Sequence, residues 1–523
     1  MASLKILFLN APPQAVREEF YTQNWQIDIL KNIDDLPEII ADYDALVIKE
    51  ETNLDSELLA KARNLKVIGI LNNDILNFDT LAATSLGITI VNISKSVASS
   101  VAEYTIGQML YLARLRRKKD SWELAGKNLG IIGFNRVGAA LAKKALALDM
   151  HVMVYDPTLS TAKIKAHKIE SVSLIDILIS ADFLSINISL NETAFAPLSA
   201  EQLSLCKENC VLINNSTPEI ISKDALEAFL NASKMHFCAF DCNKSAYEYY
   251  SDFKNNQVII TENKATETIE SIRRGAAELS AEMLSVIQTG MSENAINIPT
   301  IASDKMPLYA PFLKMSAALG YFLGQFLHGE LKEIVLYDYE QSLNDDAPLL
   351  QHLLKYLLQA MGYENVNYVN SLAQAGKLKI EVYTNTDFKG KGLGLKVKLK
   401  DNREHYLHLI LSENTIKINN LDRHQLNFEL KEHMILLYHA DKPGVVGLVG
   451  SMLGACSINI IDMNLDNSLS PKESALMLIT LDSKVDDDFL KVLSKYDNIY
   501  EVYYINLPSS VYTDFTYEQK SLI

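Results

Sequence analysis

The stretch that decides the fold is GIIGFNRVGAALAKKALALDMHVMVYDP, residues Gly130 to Pro157. An apolar run leads into a glycine-containing turn, an amphipathic helical segment follows, and a second apolar run, HVMVY, ends at Asp156. Strand, turn, helix and strand in this order, with an acid closing the second strand, is the pattern of a dinucleotide-binding βαβ unit. The stretch therefore predicts a Rossmann domain.

The turn departs from the usual fingerprint at one position. The first glycine of the fingerprint makes the turn, the second lets the backbone approach a pyrophosphate, and the third packs helix on strand. Gly133 and Gly138 fill the first and third places, whereas Asn135 occupies the second. Asparagine tolerates the left-handed backbone conformation, so we expect the turn to survive, with the Asn135 side chain projecting toward the pyrophosphate.

Asp156 follows Gly138 by 18 residues, where a carboxylate can hold both ribose hydroxyls. NAD is the cofactor that this arrangement predicts, and a Rossmann shell kept for packing alone is the alternative. The predicted cofactor-binding residues are Gly133, Asn135, Arg136, Val137, Gly138 and Asp156.

Apolar and helical segments alternate on the amino-terminal side of this unit. The strand-like runs are Lys5–Leu9, Ala45–Ile48, Lys66–Ile70 and Thr89–Val91, and the helical segments between them include LDSELLAKAR and FDTLAATSLG. A long helical stretch, Ser100–Arg114, then leads into the second block. Such alternation predicts an α/β fold with doubly wound parallel sheets.

The pattern changes near Asn297, where long helical segments are followed by alternating strands such as KLKIEVYTN, an α+β layout. From Met434 the order strand, helix, strand, strand, helix, strand predicts a ferredoxin-like unit. The predicted domains are a flavodoxin-like substrate-binding domain (1–96 and 271–296), a Rossmann domain (97–270), an α+β domain (297–430), the ferredoxin-like domain (431–507) and a tail (508–523).

Composition excludes several classes of function. The 523 residues carry a formal charge of −16, which argues against nucleic acid or an anionic membrane as a main partner, because phosphates require basic patches. No apolar run reaches the ~20 residues of a spanning helix, and Met1–Asn10 has the pattern of a strand rather than a signal peptide, so we expect a cytoplasmic protein. Cys206/Cys210 and Cys238/Cys242 lack zinc-site spacing, and we expect no metal.

Six segments in sequence give the chain a family resemblance: NLKVIG, SVAEYTIGQMLYLAR, GKNLGIIGFNRVG, YDP, VLINNS and KDALEAF. In this order they resemble the long-type D-3-phosphoglycerate dehydrogenases of the D-2-hydroxyacid dehydrogenase family, in which the core is followed by an allosteric substrate-binding domain and an ACT domain. The resemblance covers nearly the whole chain. It implies a serine-biosynthesis enzyme that oxidises 3-phosphoglycerate with NAD and assembles as a homo-oligomer.

The catalytic residues that the resemblance implies are not present. Thr217 stands at the position of the family's substrate-binding arginine, Ala246 at that of its glutamate, and Asn263 at that of its histidine. Asparagine has no titratable proton and cannot act as a general base. At the substrate loop only Asn77 matches the family pattern. His151, His236 and Lys244 are the alternatives that could reach the cleft instead.

The carboxy-terminal unit matches its family pattern better. YHADKPGVVG and SINI place His439, Asp441 and Asn459 at positions that resemble the serine-binding residues of regulated relatives. Asp441 replaces an asparagine there, so it can accept but not donate a hydrogen bond. Two functions stay open: a dehydrogenase of serine biosynthesis with impaired activity, or a non-catalytic subunit that senses serine or another amino acid and pairs with an active paralogue.

Overall fold

The structure is a computed structural model of the chain. It describes residues 4–22, 25–48, 53–71, 79–93, 95–115, 121–159, 164, 169–188, 197–216, 220–233, 236–242, 244–253, 257–341, 343, 345–387, 389–412, 415–466 and 474–508.

The amino-terminal domain is built on a five-stranded parallel sheet with the strand order β2-β1-β3-β4-β5. Its elements are β1 (Lys5–Phe8), α1 (Gln14–Tyr21), β2 (Gln26–Ile29), α2 (Leu36–Ile39), β3 (Ala45–Ile48), α3 (Ser56–Lys61), β4 (Val67–Ile70), α4 (Thr80–Leu86) and β5 (Thr89–Asn92). Every residue of β3 and β4 is buried, because helices cover both faces of the sheet.

The second domain carries a seven-stranded parallel sheet with the order β12-β11-β10-β9-β6-β7-β8. The long helix α5 (Lys95–Leu115) enters it, and its elements are β6 (Asn128–Ile132), α6 (Arg136–Leu146), β7 (His151–Tyr155), β8 (Glu170–Ser171), α7 (Leu174–Ser180), β9 (Phe183–Ile186), α8 (Ala200–Leu203), β10 (Val211–Asn214), α9 (Lys223–Ala232), β11 (Phe237–Cys242), α10 (Lys244–Tyr250) and β12 (Val258–Glu262).

Helix α11 (Ile269–Thr289) leaves the second domain and returns to the first sheet, where Ala276, Leu279 and Met283 join the core formed by β1, β3 and β4. Gly69 lies beneath it, since a Cβ there would come within 2.5 Å of the Met283 sulfur. The two parallel sheets are therefore connected by two helices, α5 and α11.

The third domain packs helices on a mixed sheet of the order β14-β13-β15-β16-β17-β18. Its elements are α12 (Met306–Phe326), β13 (Leu331–Asp338), α13 (Ala347–Ala360), α14 (Ser371–Lys377), β14 (Glu381–Asn385), β15 (Leu393–Leu399), β16 (Glu404–Ser412), β17 (Thr415–Leu421) and β18 (His424–Glu429). Gly320 and Gly324 of α12 allow α13 to approach within contact of its backbone.

The last domain has an antiparallel sheet of the order β20-β21-β19-β22, which is the ferredoxin-like arrangement. Its elements are β19 (His433–His439), α15 (Val445–Ala455), β20 (Ile460–Asp466), β21 (Ala475–Leu481), α16 (Asp487–Leu493) and β22 (Ile499–Asn506). Strand β19 is buried on both faces, because Ile435 and Leu437 face α15 and α16 whereas Met434 and Leu436 join the core of the third domain.

The predicted fold class is confirmed: two parallel α/β sheets precede an α+β and a ferredoxin-like domain. The sequence analysis missed β2, whose QIDI sequence is polar because the strand lies at the edge of its sheet and is only half-buried. It also placed the start of α5 at Ser100, five residues later than the observed Lys95.

Candidate functional site

The second sheet has a topological switch point between β6 and β9, because the chain proceeds from β6 toward β8 on one side and from β9 toward β12 on the other. Ligands of open parallel sheets bind at such a point, beyond the carboxyl ends of the strands. The turn Gly133–Gly138 lies there, with Asp156 after β7 and Asn187 after β9 as its neighbours.

Gly133 and Gly138 serve the roles that the sequence predicted for them. Gly133 has a φ of 93°, and a Cβ there would lie 2.9 Å from the carbonyl carbon of Asn187 and the nitrogen of Ile188. A Cβ on Gly138 would lie 2.3 Å from the carbonyl oxygen of Gly133. Both positions therefore require glycine, and together they hold α6 against the end of β6.

Asn135 does not adopt the left-handed conformation that the sequence analysis allowed for. Its φ of −73° and ψ of −171° are those of extended backbone, which is the ordinary geometry of a helix N-cap residue. Its Oδ1 accepts hydrogen bonds from the backbone amides of Val137 (3.0 Å) and Gly138 (3.1 Å). Its Nδ2 donates to the carbonyl oxygen of Asn187.

The Asp156 carboxylate is held by the turn and by the residues that follow it. Oδ2 accepts from the Phe134 amide (2.7 Å), and Oδ1 accepts from the Thr158 amide and hydroxyl and from the Leu159 amide. Burial raises the pKa of Asp156, but these hydrogen bonds outweigh it and lower the pKa below its ordinary value. Oδ2 has one such partner, which leaves it acceptor capacity for a ribose hydroxyl.

Arg136 connects the turn to the two helices, α5 and α11, that join the parallel sheets. Its guanidinium donates to Oδ1 of Asn294 (3.2 Å), whose Nδ2 donates to Glu278 of α11 (2.6 Å). The other Glu278 oxygen accepts from the Ser96 amide at the start of α5 (2.7 Å). Local sequence patterns could not predict this network, because Arg136 and Asn294 are 158 positions apart.

The residues present fit a dinucleotide. Gly133 makes the tight turn, Gly138 fixes the helix, and Asp156 retains an acceptor for the ribose. The amides of Val137 and Gly138 point toward the place of the pyrophosphate but already donate to Asn135.

Of the family's catalytic positions, Thr217 and the substrate-loop Asn77 lie outside the described residues, and Ala246 lies in α10. Asn263 follows β12 with a φ of 49°, a conformation that asparagine tolerates. Its amide donates to the Cys242 carbonyl (3.1 Å), and its carbonyl accepts from the Glu267 amide (3.2 Å). Asn263 therefore closes a turn at the place where the family resemblance puts the base.

Asp241 is a buried acid near the end of β11 that the sequence analysis did not select. Its carboxylate accepts from the amides of Lys264 (2.9 Å) and Ala265 (2.8 Å) and from the Thr261 hydroxyl (2.6 Å). These three donors fix the loop after β12, so Asp241 acts as a structural anchor. The run FDCN at the end of β11 shows only that an acid closes a buried strand.

Neither candidate histidine lies at the carboxyl ends of the strands, where the switch point is. His151 begins β7, and His236 directly precedes β11, so both lie at the amino ends of the strands, opposite the switch point. Both ring nitrogens of His236 lie within hydrogen-bond distance of backbone carbonyl oxygens, those of Phe229 and Lys207. The structure does not describe the side chain of Lys244.

The predicted effector residues are not brought together within one chain. His439 ends β19 beside Ala475 of β21, whereas the Asn459 amide donates to Asp482 at the other end of β21. Seven residues of strand, 475 to 482, separate the two sites by about 23 Å. Asp441 is exposed in the turn after His439.

His439 itself is 5% exposed, and its Nδ1 lies 2.8 Å from the Ala440 carbonyl oxygen. Its Nε2 is enclosed and has no hydrogen-bond partner among the described residues. The residue before the adjacent helix α15 is Gly444, which has a φ of 98° and supplies no side-chain cap. Acceptors and donors at this turn are therefore less completely paired than those at Gly133–Gly138.

Comparison with known protein families identifies the class of the second domain. Residues 88–262 match the family model described as D-isomer specific 2-hydroxyacid dehydrogenase, NAD binding domain. This range contains the turn, Asp156 and the whole second sheet up to β12. The matched part of the chain is therefore an NAD-type dinucleotide domain.

Relatives resemble the chain along nearly its whole length. It is 27% identical over 509 residues to a D-3-phosphoglycerate dehydrogenase of Synechocystis sp., covering 92% of this chain and 91% of the relative. It is 27% identical over 494 residues to the protein of that name from Methanocaldococcus jannaschii, covering 91% and 94%. A solved NAD+-bound 3-phosphoglycerate dehydrogenase of Entamoeba histolytica matches 57% of this chain and all of its own, with 20% identity and a TM-score of 0.49.

Within the described part of the chain, no helix combines the length and the apolar character needed to cross a membrane. The same residues contain no group of three or more histidine, cysteine, aspartate or glutamate side chains placed to hold a metal ion.

Proposed function

We propose that the chain is a D-3-phosphoglycerate dehydrogenase-like protein of serine biosynthesis, cytoplasmic and homo-oligomeric, that binds NAD but oxidises 3-phosphoglycerate slowly or not at all. Relatives of that name over about nine-tenths of the chain support the pathway, and the dinucleotide-domain match supports the cofactor. The observation that carries the loss of activity is Asn263, which stands in the place of the base and uses its backbone to close a turn.

NAD, when bound, would accept the hydride that leaves the substrate carbon. Asp156 would hold the ribose, and Gly133 would make the tight turn that leads into α6 beside the pyrophosphate. No described histidine stands at the carboxyl edge of the second sheet to take the hydroxyl proton. Asn263 can offer hydrogen bonds but has no titratable proton, and a missing general base lowers the rate by about 10²–10⁴.

The test is reduction of 3-phosphohydroxypyruvate with NADH by the purified full-length protein. We expect turnover well below the ~10 s⁻¹ of a typical enzyme. The variant Thr217→Arg/Ala246→Glu/Asn263→His restores the three family side chains and should raise the rate, whereas His151→Gln, at the opposite edge of the sheet, should not change it. Wild-type turnover at an ordinary rate would contradict the proposed loss of activity.

A second function is amino-acid sensing through the carboxy-terminal domain. The buried Nε2 of His439 without a described partner favours it, and so does the uncapped start of α15 beside it. Because Asn459 lies about 23 Å away along β21, it could join a site at His439 only from a second chain, either another copy or an active paralogue.

Calorimetric titration with L-serine tests this function. His439→Ala should abolish the binding heat, whereas His433→Ala, at the other end of β19, should retain it. Serine heats that are equal in the wild type and in His439→Ala would exclude the site. If no amino acid gives a binding heat with the wild type, sensing by this domain is excluded.

A further inference from the structure

The amides that start α6 are occupied by a group of the chain itself. Oδ1 of Asn135 accepts from the Val137 and Gly138 amides at 3.0 and 3.1 Å, the distances of ordinary hydrogen bonds. Amides at a helix amino terminus are the groups that bind a phosphate at this point of a Rossmann fold. An oxygen of the Asn135 carboxamide thus lies where a pyrophosphate oxygen would lie.

From this arrangement we propose that Asn135 is an internal substitute for the pyrophosphate and that it lowers the affinity of the chain for NAD(H). The inference rests on the proposed NAD binding and adds the residue that limits it. The dinucleotide and the Asn135 carboxamide compete for the same two amides, so binding requires the cap to open.

A third hydrogen bond fixes the orientation of the carboxamide. Nδ2 of Asn135 donates to the Asn187 carbonyl, which can only accept, so the amide oxygen must face the helix. Asn187 follows β9, on the other side of the switch point. The side chain therefore bridges the crevice between β6 and β9 that the pyrophosphate would enter.

The backbone of Asn135 is not the obstacle. Its extended φ and ψ are open to any residue, so glycine and alanine can replace it without strain. The side chain is exposed and can rotate into solvent, which makes the cap displaceable rather than permanent. The apparent affinity for NADH is then the intrinsic affinity multiplied by the fraction of molecules in which the cap is open.

The experiment compares NADH affinity and melting temperature in four full-length proteins. Asn135→Gly and Asn135→Ala remove the competing oxygen and should lower the NADH dissociation constant about five- to tenfold, which is the worth of a typical N-cap. Ser173→Ala is the matched control, because it removes the N-cap of α7 in the same domain, away from the turn. Asn135→Ala and Ser173→Ala should melt about 2–4 °C lower without NADH and Asn135→Gly by less, and only the Asn135 variants should gain affinity.

Asn135→Asp serves as a further variant that keeps the capping oxygen and adds a negative charge. It should bind NADH more weakly than the wild type, because the carboxylate repels the pyrophosphate. If the wild type binds NADH as tightly as Asn135→Gly, the inference fails while NAD binding stands. If no variant binds at millimolar NADH, both the inference and the proposed NAD binding fail. A gain of affinity in Ser173→Ala equal to that in Asn135→Ala would also overturn the inference.

Discussion

Two strand-turn-helix junctions of this chain differ in how fully their polar groups are hydrogen-bonded. At Gly133–Gly138 the helix amides are capped by Asn135, and the neighbouring Asp156 accepts four hydrogen bonds. At Ala440–Gly444 the helix has no side-chain cap, and a buried ring nitrogen of His439 has no described partner. The helix amides of the first junction are paired within the chain, whereas the second junction keeps a buried ring nitrogen without a described partner. Similar topology therefore does not imply similar readiness to bind.

The largest expected effect separates Gly133 and Gly444, the glycines with positive φ at the two junctions. Gly133→Ala should lower the free energy of unfolding by about 3 kcal/mol, because a Cβ meets the Asn187–Ile188 backbone in addition to the left-handed strain. Gly444→Ala has the strain but no atom within 4 Å of the new Cβ, and should cost about 1 kcal/mol. Denaturant unfolding measures both, and equal losses would show that crowding does not distinguish the junctions.

The next effect concerns the ribose. Asp156→Ala should weaken NADH binding about 10- to 100-fold, as expected for the loss of a hydrogen bond to a charged group. His439→Ala changes the other junction and should leave NADH affinity unchanged. Fluorescence titration of NADH measures both variants. A dissociation constant for Asp156→Ala within twofold of the wild type would remove Asp156 from the cofactor site.

A smaller effect is the pH dependence of stability. The folded-state pKa of Asp156 lies below its unfolded value, so its contribution is present above the unfolded pKa and is lost as the pH falls through the folded pKa. Asp156→Asn should therefore lower the free energy of unfolding more at pH 7 than below about pH 4. Urea unfolding at pH 7 and pH 3.5 checks the sign, and a loss that grows on acidification would contradict it.

The smallest effect is expected at the second junction. His439→Leu should change the free energy of unfolding by less than about 1 kcal/mol, because removal of a buried nitrogen without a described partner offsets the lost bond to Ala440. His236→Leu is the comparison, since it removes a buried ring whose two nitrogens lie within hydrogen-bond distance of the Phe229 and Lys207 carbonyl oxygens, and it should cost about 2 kcal/mol. Similar losses in both variants would mean that His439 is as fully paired as His236.

Much of the fold could be predicted because apolar periodicity and turn glycines are local signals. The turn at Gly133, the acid at Asp156 and the ferredoxin-like order after Met434 all follow from neighbouring residues. The edge strand β2 was missed, because its half-exposed QIDI sequence lacks the apolar run of a buried strand.

The site was harder to predict, because its contacts join distant residues. The sequence placed Asn135 in the turn but could not show whether its side chain faces a ligand or its own helix. Asn187 settles that orientation from 52 positions away, and Asp241 anchors a loop 23 and 24 positions later. The separation of His439 from Asn459 likewise depends on the register of β21, which local patterns do not fix.

The Asn135 cap has a consequence for the lifetime of the protein. A ligand stabilises a fold by a free energy that grows with the logarithm of the ratio of its concentration to the dissociation constant. A junction that completes its own hydrogen bonds keeps its helix in place when the cofactor is scarce, and it gains little when the cofactor is abundant. Resistance of the second domain to proteolysis should therefore stay nearly constant while the metabolic supply of NAD rises and falls.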